Sequence, residues 1–600
     1  MFYIGITSLV NDVPFSLIFQ SFYKALRLDL STVGYLLIFP IVLLFFYSLF
    51  QKKIFLKIID GLNYFFIILY TITAVGEMCL YREWKAKLST QALEHFIHPS
   101  EVFKTTSLGL TFLFFILSLI GSWFFIRIYR RKVSHKNLAA VEEQNRIARL
   151  KNTAFILVIG ILNFIIMRGG LQQIPIQDGD AFFCTQPAVN DAAVNPLWNI
   201  SYNIIDYFNH FKENPYTYFE MNKANEIVKK LYQTDKDTTV SFLQTTRPNI
   251  VIIIMEGWSA YGIKSYGGDN FAPFMDSLSH HGIRFTKLYP AGYVSDQGIP
   301  AVLSSFPCTS HISVINQSSK SAKLPCINQD LKKQGYQSGF MFGGDLTYGN
   351  IKSYIYNKKF DIVKEEKDMD GSLPRGKLGI QDSYMSMEYL KFLNSAKAPF
   401  VYAWFTLSTH MPYDFPGEKK QLTQYENDYV NGVSYADKSF RHFFVEAKKQ
   451  SWYKNTLFVI VSDHSHGCQR QFSVYDPEYH RIPLLFFGEV IEPAYRGKEI
   501  TDVFSQLDIV KTLLKQMKLD EEAKQYIWGK NMFDPATKPF AFYCSSSGSG
   551  FITNQGFIGY QQNAKNLVFN SFGDKNPMSD TLTDYAHAFQ QSVFEDYRLK

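Results

Sequence analysis

The chain has 600 residues, room for several domains, with 19% charged residues, 16% aromatic residues and a formal charge of +7. A mean hydropathy of −0.09 excludes a chain that is apolar throughout, so its aromatic and aliphatic mass must be concentrated in one part. The modest charge carries no nucleic-acid signature and matters through its placement.

The first 170 or so residues hold that mass. Val33–Phe50 and Thr105–Ile126 contain no charge and are long enough to cross a bilayer. Gly61–Gly76, flanked by Asp60 and Glu77, and Asn152–Met167 are further candidates. The opening twenty-odd residues, apolar except for Asp12, form a weaker first span, which makes five. No cleavable signal pattern stands out. Eight basic residues between Arg127 and Lys151, and Lys52, Lys53 and Lys57, are expected on the cytoplasmic side. Everything after Met167 is then extracytoplasmic. Lys24 and Arg27 fall in an outer loop, mildly against that rule. Asp12, Asp60 and Glu77 are read as interfacial or as functional intramembrane acids.

The layout predicts a membrane domain over 1–168 and a polar connecting segment over 169–247, with an amphipathic helix near Asn222–Tyr232. An α/β domain follows over 248–532. Its apolar runs are Val251–Met255, Ser338–Phe342, Val401–Leu407, Phe458–Val461 and Pro483–Phe487. Helical stretches, among them Ile327–Gln334, Asp382–Ala396 and Asn427–Lys449, lie between them, which argues for a parallel sheet covered on both faces. Short strands at Phe540–Tyr543, Gly556–Tyr560 and Asn566–Phe569 predict a small antiparallel subdomain over 533–600.

Two buried-strand patterns end in ligand-type residues. Asn249–Ala260, NIVIIIMEGWSA, runs into Glu256, and Leu457–Gly467, LFVIVSDHSHG, runs into Asp463–His464. Parallel sheets gather ligands beyond the carboxyl ends of their strands. Hard carboxylate oxygens with an imidazole suit a divalent metal. In YVSDQGIPAVLSSFP, Ser295 precedes a segment that starts a helix with Pro300 in its first turn. A hydroxyl there faces the positive end of the helix, which favours a phosphate or sulfate beside it, although an N-cap serine has the same pattern.

Together these pieces resemble the alkaline phosphatase superfamily and, within it, the membrane-anchored lipoteichoic acid synthase-like family. The resemblance implies metal ligation by Glu256, Asp463, His464 and Ser295. VSDQG is similar to the family's nucleophile segment, with Ser295 at the usual Thr position and Val294 and Gln297 where Arg and Lys usually stand. LSTHMPY implies that His410 contacts the substrate phosphate, and FGGDLTYGN implies substrate-site roles for Asp345 and Asn350. A sulfatase of the formylglycine type needs x-Pro-x-Arg after its Cys or Ser, whereas Asp296, Gln297, Gly298 and Ile299 follow Ser295.

The resemblance implies a multi-pass cell-membrane enzyme holding one divalent cation, manganese first, with zinc or magnesium as alternatives. A phospholipid headgroup of phosphoglycerol or phosphoethanolamine type is expected to pass through a covalent Ser295 intermediate to an envelope glycan or lipid. The alternative is a phosphodiesterase or sulfuric ester hydrolase that uses water at the same site. Of the remaining residues, His466 is expected in a loop, His480 and Arg481 could reach an anionic substrate, and Trp258 walls the pocket or packs in the core. Cys308 and Cys326 share one segment and could pair in an oxidising compartment, while Cys184 and Cys544 are isolated in sequence.

Overall fold

Four apolar helices open the described part of the chain: α1, Phe15–Phe50; α2, Ile54–Trp84; α3, Leu108–Lys132; and α4, Arg146–Met167. The computed structural model describes residue 3 and residues 13–84, 87–88, 108–134, 145–172, 174–184, 186–206, 213–234, 237–310, 312–422, 427–467, 472–545, 548–562, 566–573 and 576–600. Each of these four helices contains a stretch long and apolar enough to cross a membrane. The expected span over the opening residues, with Asp12, lies largely outside the described residues.

The expected loop at Lys24 and Arg27 is instead continuous helix within α1. Nothing between Phe15 and Gly34 breaks a helix, and 36 residues rise about 54 Å, well beyond a hydrocarbon core. Arg27 pairs with Asp180 at 3.1 Å. Asp60 accepts from the Tyr129 and Ser134 hydroxyls, and Glu77 pairs with Lys87 at 2.6 Å. These two acids thus have structural partners inside this part of the chain.

The chain divides into two compact units, Met1–Glu213 and Asn214–Lys600. The segment 169–247 is therefore shared between them. Its amphipathic helix α5, Met221–Tyr232, buries Ala224, Val228 and Leu231, and it packs against the C-terminal helix Pro577–Leu599 within the second unit. Four further helices of that unit matter below: α6, Ser295–Ser304; α7, Asp382–Asn394; α8, Asn427–Ala447; and α9, Asp508–Gln516. Helix α10 spans Pro577–Leu599 and was not foreseen from the sequence.

The second unit is an α/β domain built on a nine-stranded sheet. Its strands are β1, Asn249–Met255; β2, Ile283–Tyr289; β3, Gln337–Phe342; β4, Ile362–Lys364; β5, Phe400–Phe405; β6, Thr456–Ser462; β7, Ile482–Phe487; β8, Glu499–Ile500; and β9, Phe504–Ser505. They run in the order β4-β3-β5-β1-β6-β7-β2-β8, with β9 on β2. β1 is parallel to both β5 and β6. It is fully buried, because one apolar cluster covers each face of the sheet.

The sheet is mixed rather than wholly parallel: β7 runs antiparallel to β6 and to β2. β2, IRFTKLY, alternates polar and apolar residues and was missed among the continuous apolar runs. A separate antiparallel sheet follows, of β10, Phe540–Cys544; β11, Gly548–Thr553; β12, Gly556–Gln561; and β13, Asn566–Asn570.

Candidate functional site

The register of β1 on β6 pairs Met255 with Ser462, so the next residues, Glu256 and Asp463, emerge side by side at the carboxyl edge of the sheet. β5 ends one strand away and delivers Thr406, whose Oγ1 accepts from the Glu256 N–H at 3.0 Å. Thr409 donates its hydroxyl to the Glu256 carbonyl. Asp463 Oδ1 accepts from Gly257 N–H and from His464 N–H, both at 2.8 Å. Gly257 takes φ +61° and leaves only 3.4 Å to the His464 ring for a side-chain carbon.

Glu256, Asp463 and His464 each present a ligand atom, all within 4.8 Å of one another. His464 Nε2 lies 3.7 Å from Glu256 Oε1 and 3.6 Å from Asp463 Oδ2. His464 Nδ1 donates to the Ser465 carbonyl at 3.0 Å, which leaves Nε2 as the lone-pair nitrogen. Ser295 Oγ sits 3.4 Å from that Nε2.

The donor set fits a hard divalent cation on its own geometry. Glu256 Oε2 and Asp463 Oδ2 are buried, and neither has a hydrogen-bond partner. Buried carboxylate oxygens are costly without one. Burial, and then the Asp463 carboxylate, push Glu256 up to about 8. Burial works to lower His464, but Asp463 and Glu256 outweigh it and its pKa is raised. A cation relieves both strains at once.

Helix α6 brings Ser295 to this edge. It begins at Ser295 itself, with Val294 in the N-cap place and no side-chain cap. Pro300 therefore falls in the second turn, not the first as expected. It cannot supply the N–H that would bond Asp296 O, and Ser313 Oγ donates to that carbonyl instead, at 2.6 Å. The first turn is pressed onto the end of β6: a Cβ at Gly298 would lie 2.1 Å from the Asp463 oxygen. Gln506, unremarked in sequence, donates to both the Ser462 and Asp463 carbonyls at 2.6 Å and accepts from Ala291 N–H. One amide thus ties the strand end to the turn before α6.

Gln297 stands where the resembled family carries a lysine. It is buried and turned into its own loop. Its Oε1 accepts from Tyr293 N–H and its Nε2 donates to the Thr309 and Ile312 carbonyls. Val294 is partly exposed. Neither residue supplies the positive charge that the resembled family carries at these positions.

The other predicted residues divide. His410 stands near the cluster closely enough to oppose the charging of His464, and its Nδ1 donates to the Met411 carbonyl at 2.6 Å. Asp345 is exposed and caps the Thr347 N–H at 2.9 Å. Asn350 is buried in the left-handed region, with its amide donating to the Ile315 carbonyl. The residue of that loop that faces the site is Tyr348. Its ring sits edge-on to His410 at 5.6 Å, and the Glu256 and Asp296 carboxylates raise its pKa further after burial. A tyrosine between turn residues carried no signal that sequence reading could use.

His466 is stacked on Tyr429 at 3.9 Å, and its Nε2 accepts from the Tyr413 hydroxyl at 3.1 Å. His480 and Arg481 are both bonded within the protein. His480 donates to the Val474 carbonyl and is buried. Arg481 is held by the Tyr266 and Thr286 carbonyls and by Glu478. Trp258 is fully buried against Phe440, so it is core.

Residues 248–519 match the sulfatase family model. This segment resembles a sulfatase-family domain. Among curated proteins, the chain is 22% identical over 334 residues to the lipoteichoic acid synthase-like protein YvgJ of Bacillus subtilis, covering 51% of this chain and 52% of that one. It is 24% identical over 237 residues to phosphoglycerol transferase I of Xanthomonas axonopodis pv. citri, covering 38% of this chain and 33% of the relative. The chain thus spans about half the length of the first and a third of the second.

Among solved structures, the chain superposes in part on an alkaline phosphatase superfamily protein from Vibrio parahaemolyticus. The TM-score is 0.54 at 23% identity, over 64% of this chain and 97% of that one. The lipoteichoic acid synthase LtaP from Listeria monocytogenes gives a TM-score of 0.50 at 15% identity, over 64% and 99%. At these identities the likeness establishes the fold. An α-helical membrane domain followed by an alkaline phosphatase/sulfatase-like α/β domain with a C-terminal antiparallel sheet is the architecture of the chain.

Proposed function

We propose that this protein is a membrane-anchored transferase that moves a phospholipid headgroup, of phosphoglycerol or phosphoethanolamine type, to an envelope glycan or lipid. The observation that carries this reading is the meeting of Ser295 Oγ and His464 Nε2 at 3.4 Å, beside two buried carboxylate oxygens that have no protein partner. The activities for which the curated relatives are named support the reaction class.

Glu256, Asp463, His464 and Ser295 would hold one divalent cation, manganese by preference. When bound, it supplies positive charge that favours the serine alkoxide and offsets the phosphate. Ser295 loses its proton and Oγ attacks phosphorus. One P–O bond forms and the bond to the diacylglycerol oxygen breaks; that oxygen takes up a proton. An acceptor hydroxyl then attacks the same phosphorus and Ser295 Oγ departs with a proton. His410 would hold the phosphate or pass the proton to the leaving oxygen. The start of α6 favours the anionic group at Ser295. The sulfatase-like domain acts on the extracytoplasmic face, next to the headgroup plane.

The test is incubation of the purified full chain with headgroup-labelled phosphatidylglycerol or phosphatidylethanolamine and manganese, with and without envelope acceptors. Diacylglycerol plus labelled acceptor is the expected result. Free headgroup phosphate alone, whatever acceptor is offered, assigns the site to hydrolysis instead.

A further inference from the structure

Cys308 and Cys544 are 236 positions apart in the chain, yet their Sγ atoms lie 3.0 Å apart. Both are buried, 4% and 0% exposed. They converge on one carbonyl: Cys308 Sγ donates to Ala291 O at 3.3 Å and Cys544 N–H donates to the same oxygen at 3.1 Å. Cys326, the neighbour that sequence offered, sits instead beside Lys358, Tyr354 and Ser304. Opposed thiols packed this closely have no equivalent among the other described cysteines.

We propose that Cys308 and Cys544 form a disulfide that fastens the nucleophile-bearing segment to the C-terminal sheet. Cys308 closes the loop after α6, and Cys544 ends β10. Ala291, which both residues contact, opens the turn before α6, and Gln506, just after β9, bonds both that turn and the end of β6. The bond therefore secures both flanks of the helix that starts at Ser295. Its formation breaks two S–H bonds and makes one S–S bond. The two electrons and two protons pass to a disulfide of an exchanging thiol compound or oxidoreductase, which is reduced to two thiols. The proposal rests on the extracytoplasmic reading, because that compartment keeps such an oxidant available.

The experiment has two arms. In the first, purified full-length protein is equilibrated with glutathione disulfide, free thiols are alkylated under denaturing conditions, and peptides are mapped without reductant. A linked Cys308–Cys544 peptide is expected, with Cys326 alkylated. Reduction of that link should lower the melting temperature by about 5 °C, and Cys308→Ser should leave Cys544 open to alkylation. Alkylation of both cysteines after oxidant, or a Cys308–Cys326 link, overturns the proposal.

In the second arm, thiols are trapped in intact cells while a membrane-impermeant protease reports which face carries the domain. A linked pair on an outward domain supports the proposal, and free thiols on an outward domain overturn it. Free thiols on an inward domain overturn the topology, and the purified-protein arm then decides the pair.

Discussion

A side chain at Gly298 would place its first carbon 2.1 Å from the backbone oxygen of Asp463. The helix that carries the proposed nucleophile is therefore seated directly on the strand end that carries two proposed ligands. An ordinary helical Gly→Ala change stabilises by up to about 1 kcal/mol. Gly298→Ala should do the reverse, costing about 2–3 kcal/mol because backbone cannot retreat as a side chain can. Headgroup release should fall with it. Chemical denaturation together with a turnover assay checks both, and a stable, active Gly298→Ala would show that α6 is free to shift without consequence.

Asp382 acts at a distance from the chemistry. It is fully buried, and its two carboxylate oxygens accept from the Leu407 and Ser408 N–H groups at 2.9 and 3.0 Å. Those bonds shape the segment that supplies Thr406, Thr409 and His410. Asp382→Ala should destabilise by about 2 kcal/mol through the orphaned amides and should lower turnover more than a surface control such as Lys391→Ala. Urea denaturation with parallel kinetics measures the two effects.

The partnerless oxygens of Glu256 and Asp463 predict that a divalent cation stabilises the folded protein. At a hundredfold excess over its dissociation constant, manganese should add about 2.7 kcal/mol. Glu256→Gln keeps the shape, removes one charge and should weaken that stabilisation at least tenfold in apparent affinity. Thermal melts with chelator and with added metal test this, and identical melts in all conditions would remove the cation from the account.

Acid should weaken the second unit through His480. Burial pushes its pKa down to about 4, and its Nε2 donates to Val474 O at 2.8 Å. The unfolded chain takes up a proton near pH 6.5 while the folded chain refuses it until about 4, so the unfolded state binds more protons in that window and stability falls as pH falls. Between pH 7 and pH 5 this group alone should cost about 2 kcal/mol. His480→Gln, which keeps a donor for Val474, should flatten that part of the pH–stability curve.

Much of the candidate site's geometry was legible because β1 and β6 write their ends plainly. A continuous apolar run followed by Glu256, and another followed by Asp463–His464, place ligand types where a parallel sheet presents them. Ser295 was legible from its helix-start pattern, although the helix begins one turn earlier relative to Pro300 than expected. Gln506, Tyr348 and the Cys308–Cys544 contact were hidden for one shared reason. Each acts through a partner far along the chain, and a lone Gln, Tyr or Cys has no periodicity to betray it. The antiparallel direction of β7 was hidden too, since the side-chain pattern of a buried strand is the same whichever way it runs. Lys24 and Arg27 misled in the opposite sense: charge implied a loop, whereas α1 is long enough to carry both beyond a hydrocarbon core.

The most direct measurement is the mass of the adduct on Ser295 after the full-length protein meets total membrane lipid and manganese, with peptides mapped by mass spectrometry. The account predicts a phosphate-linked headgroup on Ser295, absent from Ser295→Ala, which should also fail to release diacylglycerol. An unmodified Ser295 beside a Ser295→Ala variant that turns over lipid at the full rate would contradict it.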